Sequence, residues 1–153
     1  MPLTPDSLAT QLESNWLGGR PASPQESADR FAGVVASWFS GATAGGFPAA
    51  TAVARRPQLA LAAAAALDAG VGPTAGQLLA LAAATYLAGQ LFGAGTATFP
   101  AALGAGIAGF TAAFGNLDLP NDARAQQMAL ALYAMTVSTI VVFPTPLPPA
   151  PIL

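Results

Sequence analysis

The chain has 153 residues and a formal net charge of −2, and only 8% of its residues are charged, against about 25% in an average globular domain. It contains no cysteine, histidine or lysine, which excludes disulfides, thiolate chemistry and a serine nucleophile activated by histidine or lysine. The length suits one domain with a sizeable core, and no basic cluster exists beyond Arg55–Arg56, so nucleic acid is not expected as a partner.

Two capped, amphipathic helices are predicted at the start of the chain. Thr4-Pro5 supplies a capping hydroxyl and a proline at the first helical position, and this helix ends at Gly18-Gly19. Ser23-Pro24-Gln25-Glu26 is a capping box that begins a second helix, which runs to about Ser40. Apolar residues at helical spacing line one face of each: Leu8, Leu12 and Trp16, then Phe31, Val34, Val35 and Trp38.

The middle of the chain is rich in alanine, and its helices are separated by glycine and proline. Residues 41–54 form an irregular crossing, because they contain Gly45-Gly46 and Pro48. High alanine content predicts four further helical segments by propensity: Pro57 to Gly70, Thr74 to Gly93, Pro100 to Phe114, and Asp122 to about Met135. No convincing internal repeat is visible in the residues themselves.

The last residues change in type. The β-branched run at 136–143 favours an extended strand over a helix. Five prolines between Pro144 and Pro151 then disfavour both a helix and a central strand and predict a polyproline-like arm. The sequence therefore predicts a mainly α fold, a compact helical domain of about five to six helices, with a helical body at 1–136 and an extended strand and proline-rich C-terminal arm at 137–153.

Two glycine motifs have functional and structural interpretations. Gly104–Gly109 matches GxGxxG, but no strand precedes it, and the next acidic residues, Asp118 and Asp122, have no parallel-sheet context. Close packing of a helix is therefore the preferred interpretation. Gly89–Gly93 matches GxxxG, which permits intimate helix contact in membranes but is also common in alanine-rich soluble helices. Neither motif predicts a cofactor.

Few residues of the chain are suited to a catalytic or a metal site. The seven carboxylates show no calcium-loop spacing, and Glu26 and Asp29 lie in a capped first turn where they favour the helix dipole. The aromatic residues at helical spacing are expected in the core. We therefore expect no enzyme activity, no cofactor and no metal.

A small membrane protein of the holin type is one alternative, because residues 69–117 carry no charge. Spanning a bilayer takes about 20 strongly apolar residues, whereas this stretch is alanine, glycine and threonine, interrupted by Gly93, Gly95 and Pro100. No basic residue flanks it closely enough to set a topology. A membrane location is therefore not expected, and the opening MPLTPDSLATQLESNW lacks the basic and apolar regions of a secretory signal.

The segments LATQLESNWL, SPQESADRFAGVVASWF and LAAATYLAGQLFG, set in a body of low charge, resemble the collar protein of R-type tailocins and related phage contractile tails. The resemblance implies a structural protein that forms a ring, expected to be a homohexamer, at the head-proximal end of tube and sheath. Its partners would be further copies of itself and the sheath and tube proteins. Such a protein would occupy the bacterial cytoplasm during assembly and then a released particle, and the family offers no catalytic residues.

The C-terminal segment is the predicted contact region. Its strand offers a row of backbone donors and acceptors that a partner's sheet edge could accept, and the prolines can lie extended in a neighbour's groove at low entropic cost. A monomeric helical binding module remains the other alternative. The predicted contact residues are Ile140, Val141, Val142, Phe143, Pro144, Pro146, Leu147 and Pro149.

Overall fold

The computed structural model describes residues 3–153, and over these residues it contains six α-helices and six short β-strands. The mainly helical fold class is thereby confirmed. The helices are α1 (Pro5–Asn15), α2 (Pro24–Phe39), α3 (Arg56–Asp68), α4 (Gly72–Leu87), α5 (Leu103–Gly115) and α6 (Asn121–Val137). The strands are β1 (Thr43–Ala44), β2 (Phe47–Pro48), β3 (Leu91–Phe92), β4 (Gly95–Ala97), β5 (Ile140–Val142) and β6 (Ala150–Pro151).

The predicted helix starts hold for the first two helices and shift for the fourth. The Oγ of Ser23 accepts a hydrogen bond from the amide of Glu26 at 3.1 Å, as the capping box predicts. The carboxylate of Glu26 accepts from the amide of Ala22 at 2.9 Å, one residue before the cap. Helix α4 begins at Gly72, two residues ahead of the predicted start at Thr74, and has no side-chain cap.

The six helices form a closed ring of three similar units. Each unit is a pair of helices followed by a β-hairpin: α1, α2 and β1–β2; α3, α4 and β3–β4; α5, α6 and β5–β6. Every helix packs against the next one along the chain, and α1 packs against α6, which closes the ring. The repeat was not visible in the sequence because the units share their order of elements rather than their residues.

The three hairpins join at one end of the helices. Antiparallel pairing runs through β3, β4, β5 and β6, and isolated bridges connect Ala49 with Phe92 and Ala44 with Ile152. Thr43 and Leu153 also exchange two backbone hydrogen bonds of 2.9 Å. The strands therefore close on themselves, and we call residues 43–49, 91–98 and 139–153 the strand ring.

The C-terminal segment belongs to this ring. The strand predicted at 136–143 is present in part as β5, because Thr136 and Val137 still belong to α6. The residues after β5 turn back at 144–149, where the sequence predicted an extended arm. Proline lacks only the amide donor, and the amides of Ile152 and Leu153 still donate to Thr139 and Thr43. Ile152 is completely buried, so the segment helps to complete the core.

An apolar core fills the helix ring. Trp16 contacts Phe31 with ring centroids 4.9 Å apart, and Phe31 meets Phe110 edge-on at 6.3 Å. The indole nitrogens are satisfied: that of Trp16 donates to Ser27, and that of Trp38 donates to the carbonyl oxygen of Thr4. These contacts connect the first helix pair with the third. The second pair, α3 and α4, contributes Leu59 and Leu79 to the core, and both are essentially buried.

The two glycine motifs have structural tasks. A Cβ on Gly109 would lie 2.5 Å from the Cβ of Ala131, so this glycine allows α5 to approach α6, whereas Gly104 has open space around it. Gly89 and Gly93 lie outside the helices with φ of +80° and +59°, at the end of α4 and in the β3–β4 turn. The close approach of α5 to α6 at Gly109 thus agrees with the interpretation of GxGxxG as a packing motif.

Among residues 3–153, none of the helices is both long enough and apolar enough to cross a bilayer.

Candidate functional site on the strand ring

Residues on the strands alternate between the core and solvent. Phe92, Ala97 and Val141 point inward and are buried. The residues between them point outward on three neighbouring strands, and we call this set the outer strand face: Leu91, Thr96, Thr98, Ile140 and Val142.

The outer strand face is continuous because its members are cross-strand neighbours. Thr96 pairs with Leu91 on one side and with Val142 on the other, so the three side chains form one row. Leu91, Ile140 and Val142 have exposed fractions of 40%, 39% and 49%. A face of large apolar side chains is therefore presented to solvent.

Two phenylalanines close the tip of the strand ring. The rings of Phe47 and Phe143 lie 5.5 Å apart. Each ring covers a glycine of a neighbouring turn, Phe47 over Gly93 and Phe143 over Gly45, where a Cβ would come within 3.2 Å or less of the ring. Beside them, a cavity of about 110 Å³ is lined in part by Leu147, which is 47% exposed.

The predicted contact residues fall into two groups. The side chains of Val141 and Phe143 are buried against the chain's own core. The others are exposed: Ile140, Val142, Pro144, Pro146, Leu147 and Pro149. The backbone of β5 is paired with β4 on one side and with β6 on the other. In this arrangement β5 has no free edge, whereas the sequence analysis predicted that a partner's strand could be added there.

No charged side chain lies on the strand ring. Every charged residue of the chain lies in a helix, next to one, or in a turn between paired helices, and residues 41–54, 88–102 and 138–153 contain none. Eight of the exposed large apolar side chains belong to those three segments: Phe47, Val53, Leu91, Phe99, Ile140, Val142, Leu147 and Leu153. Exposed apolar patches of this kind mark interaction sites more often than chance.

Two arginines cap the C-terminal ends of helices. Arg55 donates to the carbonyl oxygens of Tyr86 and Ala88 at 2.9 and 2.5 Å, and thereby caps the C-terminal end of α4. Arg124 caps α5 in the same way through Ala113 and Asn116, both at 3.0 Å. Sequence reasoning missed both caps, because the carbonyls and the arginine belong to different elements.

Two titratable groups are perturbed, both for structural reasons. The amide of Ala22, followed by the guanidinium of Arg30, lowers the pKa of the exposed Glu26 carboxyl. Burial raises the pKa of the Tyr86 hydroxyl, which donates to the carbonyl oxygen of Ala52 at 2.7 Å. Neither group faces the outer strand face.

A larger cavity of about 300 Å³ lies at the opposite end of the helix ring, lined by Trp16, Leu67, Phe114, Leu117 and Arg124 among others. Its one cation, Arg124, already donates to backbone carbonyls. In the part of the chain that the structure describes, no three acidic side chains come together as a metal site would require.

Comparison with protein-family models, with curated proteins and with solved structures gives no match for this chain. The site is therefore interpreted from its own residues.

Proposed function

We propose that the chain is a structural subunit of a phage-like contractile tail, located at the head-proximal end of tube and sheath, and that its copies associate through the strand ring. The observation that carries the proposal is the uncharged, apolar outer strand face. The tail itself is suggested by the resemblance of the helical segments to tailocin collar proteins.

The energetics of the outer strand face favour association. Leu91, Ile140 and Val142 are roughly half exposed, and complete burial of the remainder would contribute about 1 kcal/mol for each side chain. No ionised side chain needs to be desolvated, because the strand ring carries none. In a closed ring every copy gains this burial, so the contribution is multiplied by the number of contacts.

The proposed assembly is a cyclic homo-oligomer, a hexamer on the tail resemblance, in contact with sheath and tube proteins. Backbone pairing between intact strand rings is not needed for it. Side chains that face outward supply the contact, and no extra strand has to be added to a complete strand ring.

The test compares two substitutions at side chains of equal exposure. Val142 lies on the outer strand face and is 49% exposed, and Leu130 lies on α6 and is 50% exposed. We expect wild-type protein at tens of micromolar to have the molar mass of a ring by light scattering. Val142→Glu should reduce that mass to a single chain, and Leu130→Glu should leave it unchanged, with circular dichroism showing equal helicity for both.

Two results would count against the proposal. One is a wild-type protein that stays a single chain, including when mixed with sheath and tube proteins. The other is an oligomer that Val142→Glu leaves intact. Sedimentation of the wild-type protein with tail particles, and its loss from them in the Val142→Glu variant, tests the location in the tail.

A further inference from the structure

The strand β6 is held by contacts that any second copy of the chain could supply. Its register is fixed by Ile140 and Val141 of β5, which pair with Pro151 and Ala150. The buried Ile152 bridges to Ala44. All of these partners precede residue 144, so a neighbouring copy presents the same groove to the same segment.

The connection that leads to β6 is suited to a second, extended conformation. Residues 144–149 include four prolines, and all six residues are exposed. Within the described chain, one backbone hydrogen bond, from Leu147 to Pro144 at 3.1 Å, lies inside this connection. Proline disfavours compact conformations of its own residue and of the residue before it, so an extended connection costs little entropy. Six extended residues span roughly 20 Å.

The connection also begins at the place where copies are proposed to meet. It follows directly from β5, which carries Ile140 and Val142 of the outer strand face. Copies that contact one another through this face therefore bring the end of each β5 close to the strand ring of a neighbour.

We propose that residues 150–153 are exchanged between neighbouring copies, so that β6 of each copy completes the strand ring of the next. This inference rests on the proposed self-association. The exchanged state keeps every contact of β6 and changes only residues 144–149. Each copy gives one strand and receives one, which is a head-to-tail relation that closes into a ring of any number of copies.

Exchange has a measurable consequence for the lifetime of the assembly. Separating two copies then requires withdrawal of Ile152 and loss of the Thr43–Leu153 hydrogen bonds, in addition to separation of the outer strand faces. Inside one copy the same contacts would form without any connection between neighbours. The two arrangements differ only in which chain supplies residues 150–153.

Cysteine pairs can distinguish these arrangements, because the natural chain has no cysteine. Thr43 and Leu153 are exposed and exchange both backbone hydrogen bonds, a geometry in which the Cα atoms of an antiparallel pair are about 5.5 Å apart. That separation lies in the range a disulfide accepts, about 4.4–6.8 Å. The variants are Thr43→Cys, Leu153→Cys and the double variant.

The experiment mixes the two single variants in denaturant, refolds them together, oxidises the product and separates it on a non-reducing gel. Exchange predicts a disulfide-linked dimer of one Thr43→Cys chain and one Leu153→Cys chain, and a ladder of covalent oligomers for the double variant. A mixture of Leu130→Cys with Leu153→Cys, treated identically, gives the background of random cross-links.

Failure of the exchange differs from failure of the assembly. Suppose that the protein is an oligomer by light scattering but the double variant runs on the gel only as single chains with an internal disulfide. This result overturns the exchange and leaves the proposed function standing. A protein that stays a single chain by light scattering, including when mixed with sheath and tube proteins, overturns both.

Discussion

Arg55 donates a 2.5 Å hydrogen bond to the carbonyl oxygen of Ala88, 33 positions away in sequence. The bond joins the start of α3 to the end of α4 and satisfies carbonyls that the helix itself leaves unpaired. Its neighbour Arg56 makes a different contact, a 3.2 Å ion pair with Asp29 in which the side chains are 43% and 65% exposed. These two adjacent arginines are therefore expected to contribute very different amounts to the free energy of unfolding.

Replacement of Arg55 by methionine should lower the free energy of unfolding by about 1.5–3 kcal/mol, because charge-assisted hydrogen bonds are lost. Arg56→Met should change it by no more than about 1 kcal/mol, because exposed ion pairs contribute little. Urea denaturation followed by circular dichroism measures both. Equal losses for the two variants would show that Arg55 is not a cap of special importance.

Gly109→Ala should destabilise the protein by about 1–3 kcal/mol, because the new methyl group would overlap the Cβ of Ala131 on α6. Gly104→Ala is the matched control in the same helix. It has nothing within 4 Å of the added carbon, and it should be neutral or stabilising by up to about 1 kcal/mol. Thermal and urea unfolding of the two variants measure the difference, and a reversed order would contradict close packing of α5 on α6.

Stability should fall as the pH rises above about 10, the ordinary pKa of tyrosine. Burial raises the pKa of Tyr86 in the folded state, so the folded protein keeps this proton after the unfolded chain has lost it. The slope contributed by one such group is at most about 1.4 kcal/mol per pH unit. Tyr86→Phe should reduce the slope while lowering stability at neutral pH by about 1 kcal/mol, through loss of the hydrogen bond to Ala52. Urea unfolding between pH 8 and 11 tests this, and an unchanged slope would assign the alkaline effect to other groups.

The helices were predictable where the sequence carries local signals. Ser23 and Glu26 mark the start of α2, and apolar spacing defines its buried face, because both effects act within a few residues. The strand ring was not predictable in this way. Its strands are only two or three residues long, too short for an alternating pattern to stand out. The ring closes through pairings between residues far apart in sequence, such as Thr96 with Val142 and Ala44 with Ile152.

The candidate site was predicted in part. The β-branched run correctly placed a strand near Ile140–Val142, and its alternation explains why Val142 is exposed while Val141 is buried. The second edge of β5 is paired with β6. The prolines of this segment predict the opposite, an arm without strand pairing. Leu91 and Thr96 were missed, since nothing in the sequence shows that two distant hairpins become neighbours.

In the closed helix ring, the arrangement of the three units in space does not fix the order in which the chain has to connect them. Thr4 accepts a hydrogen bond from Trp38 and Leu153 pairs with Thr43, so both ends of the described chain lie beside the connection between α2 and β1. A circular permutant in which a short glycine–serine linker joins residue 153 to residue 3, with new termini at the exposed Val53–Ala54 bond, should therefore reach the same native arrangement. Its near-wild-type circular dichroism spectrum would show that the second unit can come first during synthesis.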